Sequence, residues 1–143
     1  MVLGAEIRDL IEKQNVVDVV TRLFNSTDEK NWEAVKDVFT ETVSFDMTSL
    51  AGGEPVNLTP QQIVDAWDDG LKDVRAIHHQ TGNHVVTLDG DRAEVFCYGT
   101  ATHYRPDEDK KVTTFVGTYD FHLTELGGEW KIDLFRFNSK YTD

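Results

Sequence analysis

Ile7, Leu10, Ile11, Val17, Val20, Leu23 and Phe24 recur at spacings of three and four, which predicts an amphipathic helix over residues 5–26. The β-branched residues between Val16 and Val20 lower its intrinsic propensity, so tertiary packing has to support it. Trp32, Val35, Val38 and Phe39 predict a shorter helix at about 31–39. Val43, Phe45 and Met47 alternate, which predicts a strand over 42–48, and residues 51–55 read as a loop. Thr59-Pro60-Gln61-Gln62 predicts a helix start, with Thr59 as N-cap, Pro60 at the first helical position and Gln62 closing a capping box. Ile63, Val64, Trp67 and Leu71 then share one face.

The second half predicts strands over 76–88, 92–105, 111–126 and 129–138. Asp89-Gly90 and Gly127-Gly128 are hairpin turn signals, and residues 105–111 form a longer polar connection. Helix, helix, strand, helix and then a meander of long antiparallel strands is an α+β arrangement within one domain, residues 1–143. Internal glycines at Gly99 and Gly117 bend long strands. A bent sheet wrapped around a long helix makes a cone, and the small residues Cys97, Gly99 and Ala101 on one face leave room there for a ligand.

Composition narrows the functional classes. Fourteen Lys and Arg against 26 Asp and Glu give a net charge of −12, which argues against nucleic acid and against an anionic membrane surface. No apolar run approaches the ~20 residues of a spanning helix, and residues 1–13 lack the pattern of a signal peptide. A single cysteine, Cys97, leaves no intrachain disulfide, and the expected location is cytoplasmic.

Three polar residues stand in apolar company. Asp28 continues the helical face of Val17, Val20 and Phe24; His103 ends the alternating run from Ala93 to Ala101; His79 opens another strand. A buried carboxylate needs a partner, and an Asp–His pair in an apolar pocket makes a general base near neutral pH. The expectation is that Asp28 meets a histidine, His103 first, and raises its pKa. Each residue also has an ordinary reading. Asp28 can cap the helix of Trp32, His103 can lie on an exposed rim, and register decides whether His78 or His79 points inward. The five histidines lack the spacing of a common zinc site, so no metal is expected. Phe96 and Tyr98 face away from His103 and predict an outer surface buried in a homo-oligomer, dimer or trimer.

The element order resembles the nuclear-transport-factor-2-like cone, also called the SnoaL-like fold. The matching segments are Lys30-Asn31-Trp32, Val43-Ser44-Phe45-Asp46, His79 to Asn83, Leu88 to Ala93, Ala101-Thr102-His103, Gly117-Thr118-Tyr119 and Gly128 to Ile132. Within that superfamily the chain is most similar to the scytalone-dehydratase branch, whose Asp and two His correspond to Asp28, His79 and His103. That branch has tyrosines where this chain has Thr27 and Met47. The dehydrochlorinase branch shares the Asp and the first His.

The resemblance implies a cofactor-independent lyase or isomerase acting on a small apolar or cyclic molecule. His103, oriented by Asp28, would remove a proton beside a carbonyl, and His79 would hydrogen-bond the oxygen or protonate the leaving hydroxyl. Met47, Trp67, Cys97, Tyr119 and Phe135 are the expected substrate-binding residues. The alternatives are a non-catalytic ligand-binding module and an assembly subunit like the small subunit of ring-hydroxylating dioxygenases.

Overall fold

A computed structural model describes residues 2–143. In chain order the elements are α1 (Val2–Asp28), α2 (Trp32–Asp37), β1 (Phe39–Asp46), α3 (Thr48–Ala51), β2 (Val56–Leu58), α4 (Pro60–Leu71), β3 (Ala76–Asp89), β4 (Arg92–Tyr104), β5 (Val112–Leu126) and β6 (Glu129–Thr142). The strands form one open sheet in the order β2-β1-β6-β5-β4-β3. β1 runs parallel to β6, and every other neighbouring pair is antiparallel. This is the α+β cone expected from the pattern, with α1 packed chiefly against β3.

The α4 start is built as its sequence dictates. The Thr59 hydroxyl accepts from the Gln62 amide at 3.2 Å, and the Gln62 side chain accepts from the Thr59 amide at 2.9 Å. α3 and β2 lie in and beside the stretch that reads as loop, because a three-residue edge strand and a four-residue helix carry too little periodicity to register. The apolar face of α1 is also shorter than predicted. Val16, Val20, Leu23 and Phe24 are buried, whereas Ile7, Leu10 and Ile11 are exposed. Helical spacing identifies a face but not where the covering sheet ends.

β3 contains the irregularity that decides the site. Gly82 pairs with Tyr98 and Val85 with Phe96, so three steps along β3 match two along β4. This is a one-residue bulge, with Asn83 in the left-handed region at φ 55°. Before it, His79 and Thr81 stand opposite Ala101 and Gly99; after it, Val86 and Leu88 stand opposite Val95 and Ala93. The inward parity thus switches from odd to even numbers, and His79, not His78, shares a face with the core.

Gly99 and Gly117 pair across β4 and β5. A Cβ on Gly99 would lie 2.2 Å from Cε2 of Tyr119, and one on Gly117 would lie 2.2 Å from the Asn138 carbonyl oxygen and 2.7 Å from Cζ of Phe137. Gly99 is therefore the seat of an aromatic ring, and Gly117 admits a close backbone approach with the Phe137 ring beside it. This corrects the expectation of open space at two of the three small residues: Tyr119 lies across Gly99, and Cys97 is fully buried in the core, while Ala101 does border a cavity.

Gly99→Ala is expected to destabilise the fold by about 1–3 kcal/mol, because the Tyr119 ring is wedged against Phe24, Phe121 and Phe137 and has little freedom to yield. Urea denaturation measures the loss. Gly82→Ala, whose Cβ meets nothing within 4 Å, is the comparison that should escape this overpacking cost.

Candidate functional site

The C-terminal end of α1 is the negative end of the helix dipole and a poor place for an unpartnered carboxylate. Asp28 stands there, and one β3 residue satisfies both of its oxygens. The His79 backbone amide donates to Oδ2 at 2.9 Å, and its ring Nδ1 lies 2.6 Å from Oδ1. With Asp28 accepting, Nδ1 carries the proton and Nε2 is left as the acceptor. One turn earlier, Phe24 stacks on the His79 ring with centroids 4.8 Å apart and planes at 28°. α1 thus fixes the imidazole by its edge and by its face. The His79 and Asp28 side chains are largely shielded, 13% and 19% exposed, and His79 borders the cavity beside them.

That cavity measures about 220 Å³. His79 and His103 reach it together with Thr27, Met47, Trp67, Tyr119 and Phe135, and further walls come from Phe24, Leu50, Gly70, Leu71, Phe115 and Phe137. Rings dominate the lining. Phe45 stacks on Phe135 at 5.1 Å, Trp67 meets Phe135 edge-on at 5.7 Å, and Tyr119 lies 4.9 Å from Phe137. Such a lining favours a flat, mostly apolar ligand.

A SnoaL-like domain profile matches residues 8–136. The chain belongs to the SnoaL-like family. No curated protein matches it in sequence. Among solved structures it is similar to the Kfla4162 protein of Kribbella flavida, with a TM-score of 0.90 at 21% identity over 94% of this chain and 95% of that one. A protein of Novosphingobium aromaticivorans proposed to be a scytalone dehydratase has a TM-score of 0.83 at 15% identity, covering 94% and 88%. A hexachlorocyclohexane dehydrochlorinase of Novosphingobium barchaimii has a TM-score of 0.81 at 9% identity, covering 96% and 92%. At these identities the likeness is one of fold.

Within this SnoaL-like cone the three polar residues are not arranged as first expected. Asp28 pairs with His79 and not with His103, and it does not cap the next helix, whose N-cap is Asn31. The reason is register: β3 lies beside α1, whereas His103 is on the neighbouring strand, opposite Ile77. Of the expected substrate-binding residues, Met47, Trp67, Tyr119 and Phe135 line the cavity and Cys97 does not. Burial pushes the Cys97 thiol up to about 12. The lining residues that the sequence left unassigned include Phe115 and Phe137. Their signal is parity, since they share odd numbering with Tyr119 and Phe135 on β5 and β6. Leu50 had no such signal, because it comes from α3. Among the described residues no group of three or more His, Cys, Asp or Glu side chains is placed to share a metal ion.

His103 packs against Phe115, with centroids 4.9 Å apart, and its Nδ1 is buried without a hydrogen-bond partner. Burial pushes its pKa from 6.5 down to about 4; the charges of His79 and Arg105 act the same way, and Asp28 opposes them. The expected rise is therefore overturned. Desolvation outweighs a carboxylate that is already committed to another ring. Burial also raises the Tyr119 hydroxyl, so it remains protonated.

The depressed His103 pKa has a thermodynamic consequence. Between about pH 6.5 and about 4 the unfolded chain takes up a proton here that the folded protein refuses. The contribution is intact above pH 6.5 and is lost as pH falls, with a slope from this group of at most about 1.4 kcal/mol per pH unit. Denaturation midpoints measured from pH 7 to 4 should fall less steeply in His103→Phe than in the parent. Equal slopes would place His103 in a solvated setting.

Proposed function

We propose that this SnoaL-like protein is a cofactor-independent lyase or isomerase that removes a proton beside a carbonyl on a small cyclic, largely apolar molecule. The observation carrying this reading is the Asp28 carboxylate gripping both N–H groups of His79, which leaves Nε2 as a base beside a ring-lined cavity. His79 takes the carbon-bound proton, and Asp28 stabilises the resulting imidazolium and fixes the tautomer. His103, held neutral by burial, hydrogen-bonds the substrate oxygen, and the Tyr119 hydroxyl is a second donor for it. In a dehydration, the electron pair of the broken C–H bond becomes the new double bond. The hydroxyl departs with the proton carried by His79, so the only by-product is water. The same base serves an isomerisation if the proton returns to another carbon.

A non-catalytic ligand-binding module is the second reading, and one observation favours it. The Thr27 hydroxyl donates its proton to the Leu23 carbonyl at 2.7 Å, and Met47 offers no hydroxyl, so this chain has no free hydroxyl donor at the two positions where the scytalone-dehydratase branch has tyrosines.

We also propose that the outer sheet face is covered by a second copy, in a dimer or trimer. Phe96 and Tyr98 are exposed there beside Val85. Charges of both signs surround them: Arg136 lies 3.3 Å from Asp46 and 3.8 Å from Asp120, and Lys140 sits over the Tyr98 ring. Such a face can meet a copy of itself with opposite charges aligned. A reducing, cytoplasmic setting fits the single buried thiol.

Two measurements test these readings. Against a panel of cyclic hydroxy-ketones, enones and chlorinated rings, Asp28→Asn and His79→Ala should each lower turnover by roughly a hundredfold or more while changing affinity by no more than about tenfold. Panel members that bind but never turn over would select the binding module. Light scattering at tens of micromolar should give a dimer or trimer, and Phe96→Glu together with Tyr98→Glu should return it to monomer.

A further inference from the structure

The Lys30-Asn31-Trp32 segment begins two residues after Asp28 but plays no part in the dyad, and all three of its side chains are engaged. Lys30 has φ 54°, the left-handed region that favours glycine. There it closes α1: its amide donates to the Thr27 carbonyl at 3.0 Å, and the Asn31 amide donates to the Ser26 carbonyl at 2.9 Å. A glycine would make this turn with less strain, so the lysine side chain needs a separate reason. Its ammonium crosses to the end of α4 and donates to the Leu71 carbonyl at 2.8 Å and the Val74 carbonyl at 3.1 Å. Asn31 caps α2, and Trp32 Nε1 donates to Asp68 on α4 at 3.0 Å.

α4 is one wall of the cavity, through Ala66, Trp67, Gly70 and Leu71. Its last turn is weak by composition. Gly70 lies inside the helix, where glycine costs stability, and sterics do not demand it, since an added Cβ meets nothing within 4 Å. The helix has no left-handed glycine beyond its end; its C-cap, Lys72, is right-handed. α4 packs mainly on α2, β1 and β2, away from the long strands that carry the histidines. The final carbonyl of the helix, that of Leu71, accepts from the Val74 amide at 3.0 Å and from the Lys30 ammonium, which comes from the corner that bears Asp28.

We propose that Lys30 is a positioning residue for the cavity. Its ammonium, with the Trp32–Asp68 bond as a second tie, holds the last turn of α4 in place and sets how readily that wall opens to a ligand. The inference rests on reading the cavity as the ligand site, but its first test needs no ligand.

Three variants of the full chain provide the test: Lys30→Gly, which suits the left-handed turn and removes the ammonium; Trp32→Phe, which keeps a ring and removes the donor; and Gly70→Ala, which stiffens the turn without a clash. Hydrogen exchange should quicken roughly tenfold over residues 66–74 in Lys30→Gly, and less in Trp32→Phe, with β4 and β5 unchanged. In stopped-flow fluorescence with 2-naphthol as probe, Lys30→Gly should speed association and dissociation by similar factors of about threefold or more. Gly70→Ala should slow both, and Kd should move less than about twofold. Unchanged exchange over 66–74, or an increase spread evenly over the chain, would overturn the proposal. So would a change confined to dissociation, which marks a lost ligand contact instead of a moved wall. If the parent fails to bind 2-naphthol, the cavity reading falls, while localised exchange would still uphold the role of Lys30 in positioning α4.

Discussion

The site depends on one carboxylate meeting two N–H groups of a single residue. Asp28 ends a helix, where the backbone dipole disfavours negative charge, and it is largely removed from water. Either condition alone is costly. The His79 amide and ring answer both, and in doing so they fix the distance between α1 and β3, the orientation of the imidazole and its tautomer. Moving Asp28 by one helical position would swing the carboxylate about 100° around α1 and away from β3. The chemistry and the docking of the long helix are therefore the same interaction.

Around this pair the cavity is shaped by what its walls exclude. Tyr119 packs against Gly99, and Phe137 packs against Gly117 beside the Asn138 carbonyl. The volume that two ordinary side chains would have taken is given to rings anchored on β5 and β6. Rings lose little rotamer freedom on packing, so a ring-lined pocket keeps its shape when empty. The same dryness separates the two histidines. Asp28 accepts from one ring, while the other is buried without a partner at Nδ1 and stays neutral through the physiological range. Two imidazoles of similar sequence setting thereby meet different surroundings, one paired with a carboxylate and the other packed on Phe115.

The polar outer face contrasts with this interior. Asp46, Arg136, Asp120 and Asn138 run as a chain of ion pairs and hydrogen bonds across β1, β6 and β5. The Thr48 hydroxyl, bonded to Asp46, is the largest reason that this carboxyl lies below its usual range, with Arg136 contributing. The sheet thus carries aromatic packing on its inner side and, on its outer side, a charged lattice beside Phe96 and Tyr98, as alternation along its strands requires.

Local chemistry in the sequence was enough for the long helices and strands, the Thr59 capping box and the selection of Asp28, His79 and His103 as polar residues in apolar surroundings. Each of these depends on neighbours within a few positions. Tertiary structure decided the rest. A bulge between Gly82 and Val85 switches the parity of β3, and the adjacent pair Val85-Val86 hides the switch, since either valine can face inward. The partner of Asp28 follows from that bulge and from the adjacency of α1 and β3, neither of which leaves a mark at a fixed spacing. Gly99 and Cys97 read as open wall until the ring of Tyr119, a residue of another strand, is laid over the first and the core closes on the second. Spacing reports which residues share a face, whereas long-range pairing decides what that face meets, because a one-residue shift between strands leaves the local pattern intact and reverses every side chain.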